Sequence, residues 1–172
     1  MTDLESVQEF RVSKDLLAAV QVLFEARGAD GMELVAYLAG KIADQHLLVD
    51  TLAIPKQTGL PVEFGCSLHI PGSEFTRIGT QLRDRDRIYC GGIHSHPDEA
   101  FHSAADDRSP TMRFAGALSI VVPDFGARGT LTKKTAVFRF DGVRHRWRPL
   151  SQSAWRRMLR EVEAPVTILG PE

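Results

Sequence analysis

Cysteine is scarce in this chain, with Cys66 and Cys90 the two among 172 residues. They could pair only once, so no disulfide framework shapes the fold. Without a C-x-x-C pair, a zinc site built on thiolates is excluded as well. Excess charge is also missing. The 21 basic side chains face 22 acidic ones, a net charge of −1, which offers nothing to nucleic acid or an anionic membrane. Two basic clusters, RDRDR (83–87) and RHRWR (144–148), read as solvated faces. No apolar run approaches the ~18 residues of a membrane span, and the first ten residues lack the basic and apolar regions of a secretory signal. These absences predict a cytoplasmic protein without nucleic-acid or membrane partners.

What remains is a globular composition, 43% hydrophobic and 25% charged. The length suits one compact domain over 1–172, with a core at about 12–142 and a C-terminal hairpin and helix over 143–164. VSKDLLAAVQVLFEARG (12–28) places Leu16, Leu17, Val20, Leu23 and Phe24 on one helical face, with Ser13 to cap its start and Gly28 to end it. MELVAYLAGK (32–41) reads as a buried strand and QHLLVDTLAI (45–54) as a second, stopped by Pro55. PKQTGLPVEFG (55–65) reads as a mobile loop, rich in proline and glycine. A strand at 66–70, a helix at 72–86 and a strand RIYCGGIHSH (87–96) follow. SAADDRSPTMRF begins with a helical turn, and GALSIVVP (116–123) is a strongly apolar strand. TAVFRFDG and VRHRWRPL form a hairpin around Asp141-Gly142, and SQSAWRRMLREVEA (151–164) a last helix. This order describes an α/β protein with a mixed sheet flanked by helices.

The chemistry gathers in GGIHSHPDEAFHSAADDRS (91–109), which holds three histidines and four acidic side chains. His94 and His96 alternate with Ser95, so on an extended strand both imidazoles project to one side, as two nitrogen ligands on one cation would. Pro97 then stops the strand. Ser103 and Asp106 are three apart and share one face of a helical turn, from which a carboxylate could return to the metal as a third ligand. Three protein ligands and an open position make a catalytic zinc site, whereas a structural site is closed by four. The plainer reading is two edge-strand histidines and a Ser103–Asp106 helix cap. Water on a metal also needs a proton acceptor. Among Glu25, Glu33, Glu63 and Glu74, Glu33 stands out because it opens an apolar run, where a carboxylate is costly without a partner.

These pieces together resemble the JAMM, or MPN-plus, metallopeptidases: an early Glu (Glu33 in GMELVAYLAGK), then H-x-H (His94 and His96 in GGIHSHP), then Ser and Asp three apart (Ser103 and Asp106 in HSAAD). The resemblance extends over roughly residues 12–142. It implies the JAB/MPN fold, a cytidine-deaminase-like mixed, curved sheet flanked by helices. It further implies one zinc ion with a catalytic water, held by His94, His96 and Asp106, with Glu33 as proton carrier and Ser103 as donor to the oxyanion. The implied reaction is hydrolysis of an amide or isopeptide bond at the C-terminus of a ubiquitin-like protein. Compact prokaryotic members are the nearer likeness, and some act with activating and conjugating enzymes in antiviral defence. The family leaves seven residues between the second His and the Ser. Here there are six, PDEAFH, which makes Asp107 a rival to Asp106 and His102 a further conceivable ligand, although an exposed loop histidine is its simpler reading.

Three other functions share parts of this pattern. One is release of a C-terminal amino acid from a sulfur-carrier protein. Another is a non-catalytic MPN-type scaffold, whose members typically lack the ligands kept here. The third is a structural zinc domain, for which only His102 or Asp107 could supply a fourth ligand. The 55–65 segment is the candidate flap over the site, and the sheet edges could take a substrate tail as an added strand. Trp147 and Trp155, set among arginines, read as a packed lid on the core.

Overall fold

The computed structural model describes residues 4–64, 67–108 and 113–171. Cys66, expected to open a strand, and residues 109–112 of the SAADDRSPTMRF segment lie outside them. Cys90 is free and buried.

The first strand, β1 (Glu9–Ser13), precedes the helix and was not anticipated; Phe10 and Val12 alternate into the core. Ser13 ends it and caps α1 (Lys14–Ala29), its hydroxyl accepting the Leu16 N–H at 3.3 Å. Leu16, Leu17, Val20 and Phe24 are buried along one face, as the spacing predicts. Gly28 does not end the helix. Any Cβ there would collide with the Phe125 side chain, so this glycine permits close packing inside the last turn.

Two strands follow, β2 (Val35–Ala43) and β3 (His46–Ala53), then a separate two-stranded ribbon of β4 (Thr58–Leu60) and β5 (Ser67–His69). The expected 55–65 loop is therefore partly ordered as a hairpin arm, and its Leu60, Val62 and Phe64 are exposed. After α2 (Gly72–Arg83) come β6 (Ile88–Ser95), the short α3 (Ala104–Arg108) and β7 (Leu118–Val122). The hairpin β8 (Ala136–Asp141) and β9 (Arg146–Pro149) is present with a longer turn than Asp141-Gly142 implies. Asp141 Oδ1 accepts the N–H groups of Val143 and Arg144, and His145 takes a positive φ of 50°.

The expected helix over 151–164 is the main correction. It divides into α4 (Gln152–Met158) and β10 (Leu159–Val162), and the chain adds β11 (Thr167–Leu169). Trp155, Met158, Leu159 and Val162 carry helical spacing, but from Leu159 the backbone pairs in parallel with β1 instead. Trp155 is buried in the core with Arg156 over its ring, as a lid requires.

The large sheet runs β10-β1-β3-β2-β6-β7-β8-β9, with β11 also on β3. It mixes parallel pairs (β1 with β10 and β3, β6 with β7) with antiparallel ones (β2 with β3 and β6, β7 with β8). Both faces are covered. Ala36 and Leu38 of β2 pack into the core with α1, while Tyr37 and Ala39 pack with Ile78 and Leu82 of α2. Burial on both faces is why MELVAYLAG reads as a continuous apolar run without alternation.

Glu74 looks routine at a helix start, yet it is only 5% exposed. Its carboxylate accepts the Lys56 N–H at 2.7 Å and pairs with Arg77 at 2.8 Å, tying α2 to the segment after β3. Arg77 first, then the Lys56 N–H, hold its carboxyl down at about 2. A depressed folded-state pKa adds stability that is whole above the ordinary value of 4.5 and disappears as the pH falls toward 2. Glu74→Gln should therefore lose about 2 kcal/mol near neutrality. The gap in thermal midpoint between parent and variant should stay constant above about pH 5 and close below it. Circular-dichroism melts across that range read this directly, and a gap independent of pH would remove the charge from the explanation.

Candidate metal centre

The two histidines sit at the carboxyl end of β6, a central strand. His94 is opposite Val35 of β2 and Val121 of β7, and the His96 N–H continues the β7 ladder to the Val122 carbonyl at 2.9 Å. Both rings lie on one face and are buried, 8% and 5% exposed. Ser95 alternates to the other face and is fully buried. Its N–H donates to the Leu34 carbonyl and its hydroxyl accepts the Leu34 N–H, both at 3.1 Å. Two backbone groups just ahead of β2 are satisfied by this one residue.

That clamp places Glu33. Extending the Val35–His94 register by two residues sets Glu33 opposite His96, where side chains on paired strands meet on one face. Glu33 is half-buried and precedes the strand rather than lying in it, since β2 starts at Val35. Gln57 braces the same edge. Its Oε1 accepts the Val35 N–H and its Nε2–H donates to the Val35 carbonyl, both at 2.9 Å, so a carboxamide completes the ladder where β3 has ended.

Asp106 reaches the histidines from α3. The Ser103 N–H donates to Asp106 Oδ2 at 2.7 Å and the Asp106 N–H donates to Ser103 Oγ at 3.1 Å, a reciprocal capping box. The helix cap and the candidate metal site thus share Asp106 and are compatible rather than alternatives. Asp106 Oδ1 lies 3.4 Å from His94 Nε2, and its Oδ2 lies 3.8 Å from His96 Nε2. One ligand atom from each residue falls within 4.8 Å of the others, so His94, His96 and Asp106 could hold a metal ion.

The donor set fits such an ion. His96 Nδ1 lies 3.2 Å from the Glu99 carbonyl, which can only accept, so Nδ1 carries the proton and Nε2 keeps its lone pair. His94 Nε2 is buried with no hydrogen-bond partner. A buried polar atom without a partner is costly, and a cation among these three groups would supply one. Burial alone would raise the pKa of Asp106, but the two imidazoles and the Ser103 N–H outweigh it and hold the carboxyl far below its usual range. Burial pulls His96 down, while Asp106, Glu33 and the Glu99 carbonyl together raise it.

Asp107 and His102 do not join the group. The Asp107 side chain is 60% exposed and accepts the His102 Nδ1–H at 3.0 Å. Nor is His102 an exposed loop residue: its ring is buried, stacks on Phe138 at 4.1 Å, and meets Ser119 Oγ at 2.8 Å through Nε2. Among the described residues, then, the donors number three and no fourth closes the site. Glu25 and Glu63 are exposed. Ser95, Gln57 and Ser119 escaped the sequence reading, although Ser119 left a trace as the lone polar side chain in ALSIVVP.

The family model described as prokaryotic homologs of the JAB domain matches residues 18–128, well over half the chain. A Sinorhizobium fredii protein named "Probable metalloprotease y4jG" is 30% identical over 159 residues, covering 92% of this chain and 98% of that protein. The solution structure of protein DSY2949 from Desulfitobacterium hafniense superposes with a TM-score of 0.62 at 14% identity, covering 91% of this chain and 94% of that one, which is a likeness of fold.

Ser95→Ala should leave the Leu34 N–H buried without a partner and cost about 1–3 kcal/mol. Urea unfolding measures it; a loss under about 0.5 kcal/mol would mean that water or a backbone shift replaces the hydroxyl.

Proposed function

We propose, because the chain belongs to the prokaryotic homologs of the JAB domain, that it is a zinc-dependent peptidase that cleaves the amide or isopeptide bond after the C-terminus of a ubiquitin-like protein. The observation that carries the reading is the meeting of His94, His96 and Asp106 around a buried, unpartnered His94 Nε2. Donor atoms bound to one tetrahedral zinc at about 2.0–2.1 Å stand about 3.3 Å apart, close to the 3.4 Å between His94 Nε2 and Asp106 Oδ1. The name of the Sinorhizobium fredii protein supports the same chemistry.

When bound, zinc would act as a Lewis acid on the scissile carbonyl and acidify the attacking water. The protein's own residues do the rest. Glu33, half-buried and in electrostatic reach of His96, takes the proton of that water and returns it to the leaving amine. The Ser103 hydroxyl accepts the Asp106 N–H, which leaves its own hydrogen to donate to the oxyanion. Phe101, exposed and edge-on to the His96 ring, offers an apolar contact for the chain entering the site.

The substrate tail would lie extended between the start of β2 and the β4–β5 arm, whose exposed Leu60, Val62 and Phe64 suit an apolar partner. A shallow hollow lined by Leu34, Gln57 and Thr58 adjoins the root of this arm. Association with activating and conjugating enzymes belongs to the same proposal.

Two measurements test it. Parent and Glu33→Gln proteins should both bind stoichiometric zinc. With a ubiquitin-like protein fused to a reporter through its C-terminal glycines, the variant should cleave about 100- to 10,000-fold more slowly. Equal rates would take Glu33 out of the reaction, and zinc without cleavage by the parent would point to a different acyl substrate. Removing residues 58–63, which spares Gln57, should raise KM for the fusion at least tenfold while zinc stays bound. An unchanged KM would free the arm from substrate binding.

A further inference from the structure

Two of the three metal donors stand on a central strand, but the third does not. Asp106 belongs to a helix of five residues, Ala104–Arg108, in which Ala104, Ala105 and Asp107 are exposed. This turn therefore buries almost no apolar surface, and among the described residues no other element packs extensively against it. The Ser103–Asp106 box shapes the turn internally without attaching it to anything. Something else must fix the carboxylate beside two buried imidazoles.

His102 is that attachment. It adjoins the cap residue Ser103, and its buried ring is held on four sides. The Ser119 hydroxyl of β7 donates to Nε2 at 2.8 Å. Phe138 of β8 stacks on the ring at 4.1 Å and 27°, and Trp147 of β9 meets it edge-on at 5.3 Å. Nδ1–H donates to Asp107, tying the ring to the helix itself at 3.0 Å. A carboxylate only accepts, which puts the proton on Nδ1 and leaves Nε2 to accept from Ser119. Phe138 and Trp147 lie beyond residues 18–128, the stretch matched by the family model.

The order Asp107, His102, Ser119 repeats the carboxylate–imidazole–hydroxyl series of a nucleophilic triad. It does not act as one here, because Ser119 is only 8% exposed and covered by the imidazole it touches. The series is an anchor.

We infer that His102 is the positioning residue for the Asp106 donor, docking the α3 turn onto Ser119, Phe138 and Trp147 so that the third ligand is held before the metal arrives. This rests on the metal-site reading above.

Zinc affinity of the full chain, measured by competition with a chromophoric chelator, tests it together with the visible spectrum of the Co2+ form and the thermal midpoint of the metal-free protein. Asp106→Ala sets the effect of losing the third donor entirely. His102→Phe keeps an aromatic ring against Phe138 and removes both hydrogen bonds. It should weaken zinc binding about 10- to 100-fold and lower the Co2+ absorption toward that of Asp106→Ala. The metal-free midpoint should move little. Ser119→Ala, a smaller change that keeps the test decisive if His102→Phe fails to fold, should weaken binding several-fold in the same direction. Parent-like affinity and Co2+ spectrum in both variants would overturn the assignment, as would a lowered midpoint with zinc affinity intact. A parent that binds no zinc, or an Asp106→Ala protein that binds it as well as the parent, would instead overturn the metal site itself and this inference with it.

Discussion

The pairing of β2 with β6 is the constraint on which the site depends. Up to Ala39 and Tyr89 the two strands run in one register; beyond it Cys90 and Gly91 together oppose Leu38, a β-bulge. The extra residue reverses the alternation. Tyr89 packs with the α2 cluster, and without the bulge Ile93, four residues on, would share its face; instead Ile93 lies in the α1 core. His94 and His96 consequently emerge on the α2 side, in line with Val35 and opposite Glu33. A slip of one residue would send both imidazoles into the apolar core and Ser95 to the side of Asp106. Gly91 allows this geometry, since a Cβ there would strike the Leu118 carbonyl across the parallel β6–β7 pair.

How far the sequence could be read follows from how local each determinant is. The Ser13 cap, the apolar face of α1, H-x-H and S-x-x-D are interactions within a few residues, and each is where its spacing places it. Strands β1, β10 and β11 were missed because each depends on a partner far along the chain. Leu159 pairs with Phe10 and Thr167 with Thr51, and no local pattern announces that. The Trp155–Val162 spacing even favoured the wrong element. His102 was misjudged for the same reason: a loop histidine reads as exposed until Ser119, Phe138 and Trp147, from 17 to 45 residues away, close over it. The choice between Asp106 and Asp107 depended on the same distant contacts, since His102 engages one and leaves the other beside the histidines.

Ser95 shows a different limit. Between two histidines it reads as a spacer, yet alternation sends it to the opposite face, where it holds both backbone groups of Leu34. The residue separating two same-face side chains on a strand must face away from them, so it is well placed to fix the start of the neighbouring strand, next to Glu33. The spacing of the two histidines and the placement of Glu33 are, in this fold, two consequences of one tripeptide.

The site also draws on where the chain leaves the sheet. β6 and β7 are adjacent and parallel, so the connection between them must cross from the carboxyl end of one to the start of the other. Residues 96–117 make that crossing, and they hold His96, Ser103 and Asp106. The carboxyl end of a strand is where such connections depart, and loops there can return side chains over the strand end. The antiparallel β2 brings its starting end to the same place, which is why Glu33, from the beginning of one strand, meets histidines from the end of another. The two histidines at the strand end and the carboxylate on the crossover come from separate elements, and β7 to β9 touch that crossover through His102. The β8–β9 hairpin thus reaches the candidate metal centre through Phe138 and Trp147 against His102, although none of its residues offers a donor atom to the group.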